Sequence, residues 1–302
     1  MIMVLPLIMI FKCQFNKFSI KKFYMRRMLR IFPLYYLIVI FGFIVNHFIL
    51  PQAGFAVNYD YDLSNSILLT TFFLSNIYCY LYEVVAIHQV IWSIGIEEQF
   101  YIMIAPFANL IKKQWLLKAL IVFTVGYFIL FHFSGIVMLQ KLKMFFFFLF
   151  FGGLISILEE KKKLEFLKTS KIIPLLIIIL TILYFTTNVF DFKNLALKNF
   201  TSTLLLGLFI HSISCNNFGV IIKDKAFNYL GKISYGIYMF HISAIYFVLF
   251  LFLKVDFLKG LNDITVIILI NILAFLITIL ISHVSYQYFE LKFLALKNKF
   301  RD

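Results

Sequence analysis

The chain has 302 residues, 63% of them hydrophobic and 14% charged, with a mean hydropathy of +0.95. Soluble domains run near 45–50% apolar and about 25% charged, so a soluble globule is excluded, and with it disorder, collagen and a disulfide scaffold. Lys and Arg outnumber Asp and Glu by 28 to 14, and in so apolar a chain that excess is tested first against membrane topology, with no nucleic acid required.

Lipid tolerates helices or closed barrels. A barrel needs alternating segments of about ten residues, whereas the apolar runs here are continuous and about twenty long. The expected fold class is therefore all-α, a polytopic membrane helix bundle in a lipid bilayer. The three cysteines (Cys13, Cys79, Cys215) are scattered and imply neither a disulfide framework nor a metal knuckle, and no His/Asp/Glu spacing resembles a metal site.

In chain order, residues 1–11 form an apolar run ending at Lys12. It is too short to span and lacks the basic start of a signal peptide, so it reads as the back half of a helix. About eight full spans follow, at roughly 31–50, 91–110, 116–134, 144–158, 172–190, 199–215, 233–253 and 264–288. Residues 50–89 carry no Lys or Arg, and 67–82 is too apolar for a plain loop. That stretch is predicted to be a re-entrant or interfacial helix interrupted by Asn65, Ser75 and Asn76.

Assigning the connections alternately to two sides gathers 22 of the 28 basic residues on one side, beginning with the seven from Lys12 to Arg30. The other side holds six: Lys141, Lys143, Lys193, Lys198, Lys254 and Lys259. The positive-inside rule puts the larger set, and both flanks of the eight-helix block, in the cytoplasm.

Few ionisable groups lie inside the spans, where a charge costs roughly 2.5–3.5 kcal/mol on insertion scales. Glu97 and Glu98 stand six and seven residues into the second span, about 9 Å deep for Glu97. They point about 100° apart, so one is expected to face the bundle interior and the other to pair with a neighbouring helix; a register-locking hydrogen bond is the competing role. Ser234, Tyr238 and His241 share one helical face at i, i+4 and i+7, with His241 about 15 Å from the helix end. They form either a functional site or an interhelical hydrogen-bond stripe. Arg26, Arg27 and Arg30 put a cationic clamp on one face, suited to phosphate; juxtamembrane clusters also set topology and touch anionic lipid. Glu290 reads as interfacial, and the five histidines other than His241 as interfacial or hydrogen-bonded.

Four segments, taken in order, carry a resemblance. They are Phe23-Tyr-Met-Arg-Arg-Met-Leu-Arg30-Ile-Phe-Pro33-Leu-Tyr-Tyr36, residues 92–101 (Trp-Ser-Ile-Gly-Ile-Glu-Glu-Gln-Phe-Tyr), residues 230–241 (Leu-Gly-Lys-Ile-Ser-Tyr-Gly-Ile-Tyr-Met-Phe-His) and Tyr286-Gln-Tyr-Phe-Glu290. Together they resemble the acyltransferase 3 family of membrane O-acyltransferases and O-acetyltransferases, over about residues 21–297. The resemblance implies a ten-helix bundle that takes an acyl group, acetyl in the first instance, from cytosolic acyl-CoA as co-substrate, with no bound cofactor. The acceptor it implies is a hydroxyl of a cell-envelope polysaccharide, such as lipopolysaccharide, or of a lipid-linked sugar. Arg27 and Arg30 match the Arg-x-x-Arg motif that meets the donor. Glu97 and His241 match core positions and are the catalytic candidates. The expected location is the bacterial inner membrane, multi-pass, with a cytoplasmic C-terminus.

Three departures stand against this. Leu5-Pro6-Leu7 replaces a Ser-Gly-Phe element, and Lys292 replaces a usual Pro. The family's first helix, with an Arg and a catalytic His, has no counterpart. Residues 1–302 are thus expected to be one N-terminally truncated acyltransferase-like domain of weak or absent activity. The alternatives are a glycan or lipid transporter or flippase using Glu97 and His241 as a polar relay, and an inactive remnant.

Overall fold

A computed structural model describes residues 19–54, 62–82, 84, 86–112, 114–169, 172–215, 225–254 and 262–300. The expected helix remnant at residues 1–11, with Leu5-Pro6-Leu7, lies outside them. Among the described residues the secondary structure is helical, with no strand.

The long helices fall where the apolar runs put them. They are α1 (Ile20–Gln52), α5 (Trp92–Leu110), α6 (Leu116–Phe133), α8 (Phe146–Glu160), α10 (Ile172–Thr186), α11 (Leu195–Cys215), α12 (Lys225–Lys254) and α13 (Asp263–Lys297). Short helices join them: α2 (Leu63–Thr71), α3 (Ser75–Leu81), α4 (Ala86–Gln89), α7 (Val137–Lys141) and α9 (Glu165–Thr169). Among the described residues, four helices (α1, α6, α12 and α13) are long and apolar enough to cross a membrane. Shorter apolar helices accompany them, as the expected polytopic helix bundle requires. Helices α8 and α10 have 15 residues each, short of the ~20 that cross the hydrocarbon core at 1.5 Å per residue.

Serine and threonine are tolerated in these helices because their hydroxyls bond back to the carbonyl one turn earlier. Thr124 does so to Leu120, Thr181 to Ile177, Thr278 to Ala274 and Ser282 to Thr278, all at 2.6–2.7 Å.

The chain divides into two compact units, with the boundary inside α5 between Gly95 and Ile96. In the Ile96–Lys225 unit, α8 packs on α6 and α11, and α10 on α11. Its core is aromatic: Phe100, Phe131, Phe146 and Phe147 are buried, and the rings of Phe123 and Phe150 stack at 5.7 Å. Gly207 permits the α8–α11 contact, since a Cβ there would come within 2.5 Å of the Phe151 ring.

The second unit comprises Lys21–Gly95 and Ala226–Asp302. Its core joins Leu34, Tyr35, Ile38 and Val39 of α1 to Ile91 and Ile94, and to Tyr235, Met239 and Phe240 of α12. The expected interrupted helix over 67–82 is two helices, α2 and α3, broken at Phe72–Leu74. Phe73 takes a left-handed φ of 58° at the break. Burial holds it there: its ring stacks on Tyr35 at 4.4 Å and packs on Phe32 at 4.5 Å. The Tyr35 hydroxyl donates to the Thr70 carbonyl at 2.8 Å.

Candidate active site

Helix α1 begins eleven residues before the predicted span, and Arg26, Arg27 and Arg30 stand on its first turns, as their helical spacing implied. The Arg27 guanidinium lies 5.5 Å from the ring centroid of Phe23, a buried residue, in cation–π geometry. The Arg26 Nη1 donates to the Phe300 carbonyl at 3.4 Å. Arg30 is exposed, and the Tyr235 hydroxyl donates to the carbonyl of the next residue, Ile31, at 3.0 Å.

Glu290, read from the sequence as interfacial, is 6% exposed within a π-helical turn, Tyr286–Glu290. Its Oε1 accepts from the Ser285 hydroxyl at 3.2 Å. A Cβ at Gly236 would stand 3.3 Å from that oxygen, so the bare glycine makes room for the carboxylate. Arg30 lies within electrostatic reach of Glu290 and Tyr286, and Lys297 within that of Arg30, Arg26 and Arg27. The sequence reading made neither Glu290 nor Lys297 a candidate site residue. The available signal was their i, i+7 spacing, which puts both on one face of a closing helix.

On α12, the hydroxyl of Tyr238 bonds to the Ser93 hydroxyl and donates to the Val90 carbonyl at 3.1 Å. His241 bonds through Nδ1 to the Tyr238 carbonyl at 2.6 Å. A carbonyl only accepts, so Nδ1 carries the hydrogen and the neutral ring presents its lone pair at Nε2. Among the described residues Nε2 has no hydrogen-bond partner. The predicted polar face is only partly united. Tyr238 crosses to Ser93, but Ser234 bonds back to Gly231 on its own helix at 2.9 Å, and the buried face is the neighbouring one, through Tyr235, Gly236, Met239 and Phe240.

Glu97 and Glu98 both lie in the Ile96–Lys225 unit, and both are buried, at 1% and 6% exposure. Glu97 accepts from the Tyr101 hydroxyl at 2.7 Å, one turn along α5. Arg27, Arg30 and His241 belong to the other unit. Just before the glutamates stands Gly95, where a Cβ would meet the Ser75 hydroxyl at 2.4 Å and the Phe73 carbonyl at 2.7 Å. The glycine in the Trp-Ser-Ile-Gly-Ile-Glu-Glu segment therefore seats the left-handed turn against α5.

Farther along α5, Phe100, Met103, Ile104 and Phe107 line an apolar pocket with Phe123 and Phe150. It offers hydrocarbon contact rather than a partner for phosphate or sugar.

Two histidines are more deeply built in than their positions near helix ends implied. His88 is fully buried. Its Nε2 donates to the Val39 carbonyl at 3.0 Å, and its Nδ1 accepts from the Tyr78 hydroxyl at 3.0 Å. Gly42 opens the space, since a Cβ there would lie 2.2 Å from Nε2. His211 is buried and pairs with Glu159 at 2.7 Å. With the partners 52 positions apart, local spacing carried no signal of that pair. Among the described residues no group of three or more His, Cys, Asp or Glu could hold a metal ion.

The model of one protein family, described as Acyltransferase domain (acyltransferase 3), matches residues 9–283. The chain belongs to that family. No curated protein and no solved structure matches it. The matched residues of this acyltransferase include Arg27, Arg30, Glu97 and His241, whereas Glu290 and Lys297 follow them. At family level its activity is acyl transfer, and its apolar helices make it a multi-pass membrane protein.

Proposed function

We propose that this acyltransferase takes an acyl group, acetyl in the first instance, from cytosolic acyl-CoA. It passes that group to a hydroxyl of a cell-envelope polysaccharide or lipid-linked sugar. The observation that carries the reading is the basic end of the Lys21–Gly95 and Ala226–Asp302 unit, where Arg26, Arg27, Arg30 and Lys297 gather. Guanidinium forks bind phosphate bidentately, and the donor is the phosphate-bearing substrate of such a reaction. This end also joins the two flanks that carry the excess of positive charge. The positive-inside rule favours this end, with the C-terminus, as the cytoplasmic one, and the membrane in this reading is a bacterial inner membrane.

In this reading Arg27 and Arg30 hold the donor phosphates, and His241 is the base. The acceptor oxygen attacks the thioester carbonyl carbon as its proton passes to Nε2 of His241. The C–S bond breaks, and CoA leaves as a thiolate that takes up that proton. Glu97, buried against Tyr101, is the carboxylate candidate of the other unit. Labelled acetyl-CoA supplied to membranes holding the chain tests the reading. Label transferred to envelope glycan or lipid-linked sugar supports it, and substrate movement without CoA dependence favours the transporter instead.

A further inference from the structure

Helix α13 does not stop after the π turn at Tyr286–Glu290. It runs on through Leu291–Lys297 into a 3-10 turn at Asn298–Phe300. This closing segment returns to the start of α1, where the Phe300 carbonyl accepts from Arg26. The half-buried Lys297 stands one turn before Phe300 on this segment, within electrostatic reach of Arg30, Arg26 and Arg27. Four cations brought together repel one another, and each gains from an anion of more than one charge placed among them. The neighbours of this cluster are also fixed. Arg27 lies over Phe23, and Glu290 is held by Ser285 beside Gly236.

We infer that Lys297, carried by the closing segment that follows the family match, is a binding residue of the donor site, completing with Arg30 and Arg26 a composite cradle for a multiply phosphorylated nucleotide. The inference rests on the acyl-CoA reading and adds a residue outside the Arg-x-x-Arg motif. A lysine suits this place because its ammonium is a point charge on a flexible stem, able to meet whichever phosphate the rigid forks leave open. The same chemistry would also hold a phospholipid headgroup, so the experiment separates the two sources.

The test is CoA titration by calorimetry on the full chain in nanodiscs of zwitterionic phosphatidylcholine, repeated with phosphatidylglycerol added. Lys297→Ala is expected to weaken CoA binding about tenfold or more, as loss of a charged hydrogen bond does. Lys297→Arg should restore most of it, with thermal unfolding unchanged in both variants. Equal CoA affinity for the wild type and Lys297→Ala, with Arg27→Ala still weakening binding, overturns this inference alone. A wild type that binds no CoA overturns the donor reading as well. A Lys297 dependence confined to phosphatidylglycerol assigns the lysine to lipid and also overturns it.

Discussion

The Tyr235 hydroxyl donates to the carbonyl of Ile31, the residue directly after Arg30, across 204 positions of sequence. Both residues are buried, Tyr235 at 3% and Ile31 at 5% exposure. The bond ties α12 to α1 at the level where the charged start of α1 becomes its apolar body, so it fixes the height at which Arg30 emerges. Removing the hydroxyl leaves a buried carbonyl short of a partner. Tyr235→Phe is therefore expected to cost about 1–2 kcal/mol in stability by denaturant titration in detergent, and to raise the KM for acyl-CoA.

Gly95 makes a second relationship testable. An added methyl would press on the Phe73 carbonyl, which belongs to a left-handed turn wedged between Tyr35 and Phe32. Neither the backbone nor the stacked ring yields easily. Gly95→Ala is expected to destabilise the protein by roughly 1–3 kcal/mol, as overpacking does. Gly126, whose Cβ would meet nothing within 4 Å, provides the control: Gly126→Ala should be neutral or slightly stabilising, because Gly is a poor helix former.

His88 gives stability a pH dependence of definite sign. Burial pushes its imidazole down from 6.5 to about 4, against the opposing pull of the Val39 carbonyl. The unfolded chain then binds the proton more readily than the folded one. Stability is complete above about pH 6.5 and falls as pH drops toward 4. Between pH 7 and pH 5 the expected loss is about 2 kcal/mol. Thermal unfolding in detergent at the two pH values checks it, and His88→Gln should flatten this part of the profile.

The helices were legible because each is a run of apolar residues, and lipid leaves no other structure open to such runs. The break in the 67–82 segment was also signalled, by Ser75 and Asn76, which begin α3. What stayed hidden depends on tertiary pairing. The hydrogen-bonding of His88 is set by Val39, 49 positions away, and that of His211 by Glu159. The start of α1 was misplaced because hydropathy ends where the arginines begin, whereas the helix continues through them. Among the candidate site residues, the Arg pair and His241 were visible as motifs. The enclosure of Glu290 by protein stayed hidden because the room for it comes from Gly236 opposite it, which no feature of its own segment announces.

For His241, a role in chemistry and a role in packing separate by readout. If Nε2 takes the acceptor proton, His241→Ala lowers kcat roughly 100-fold or more while leaving acyl-CoA affinity within about twofold. Loss of both together, with a lowered unfolding temperature, would mark a structural histidine instead. Tyr238→Phe should lower kcat less, because it removes the Ser93 and Val90 bonds but keeps the backbone carbonyl that holds Nδ1.

Binding of radiolabelled acetyl-CoA to the purified full chain, wild type beside Arg27→Ala/Arg30→Ala, bears most directly on whether this membrane protein works on a cytosolic acyl donor. We expect saturable binding by the wild type and its loss in the double variant, at least ~100-fold weaker for two charged phosphate contacts removed, with folding intact by thermal unfolding. Equal binding by both proteins would contradict the assignment of the arginine pair to the donor.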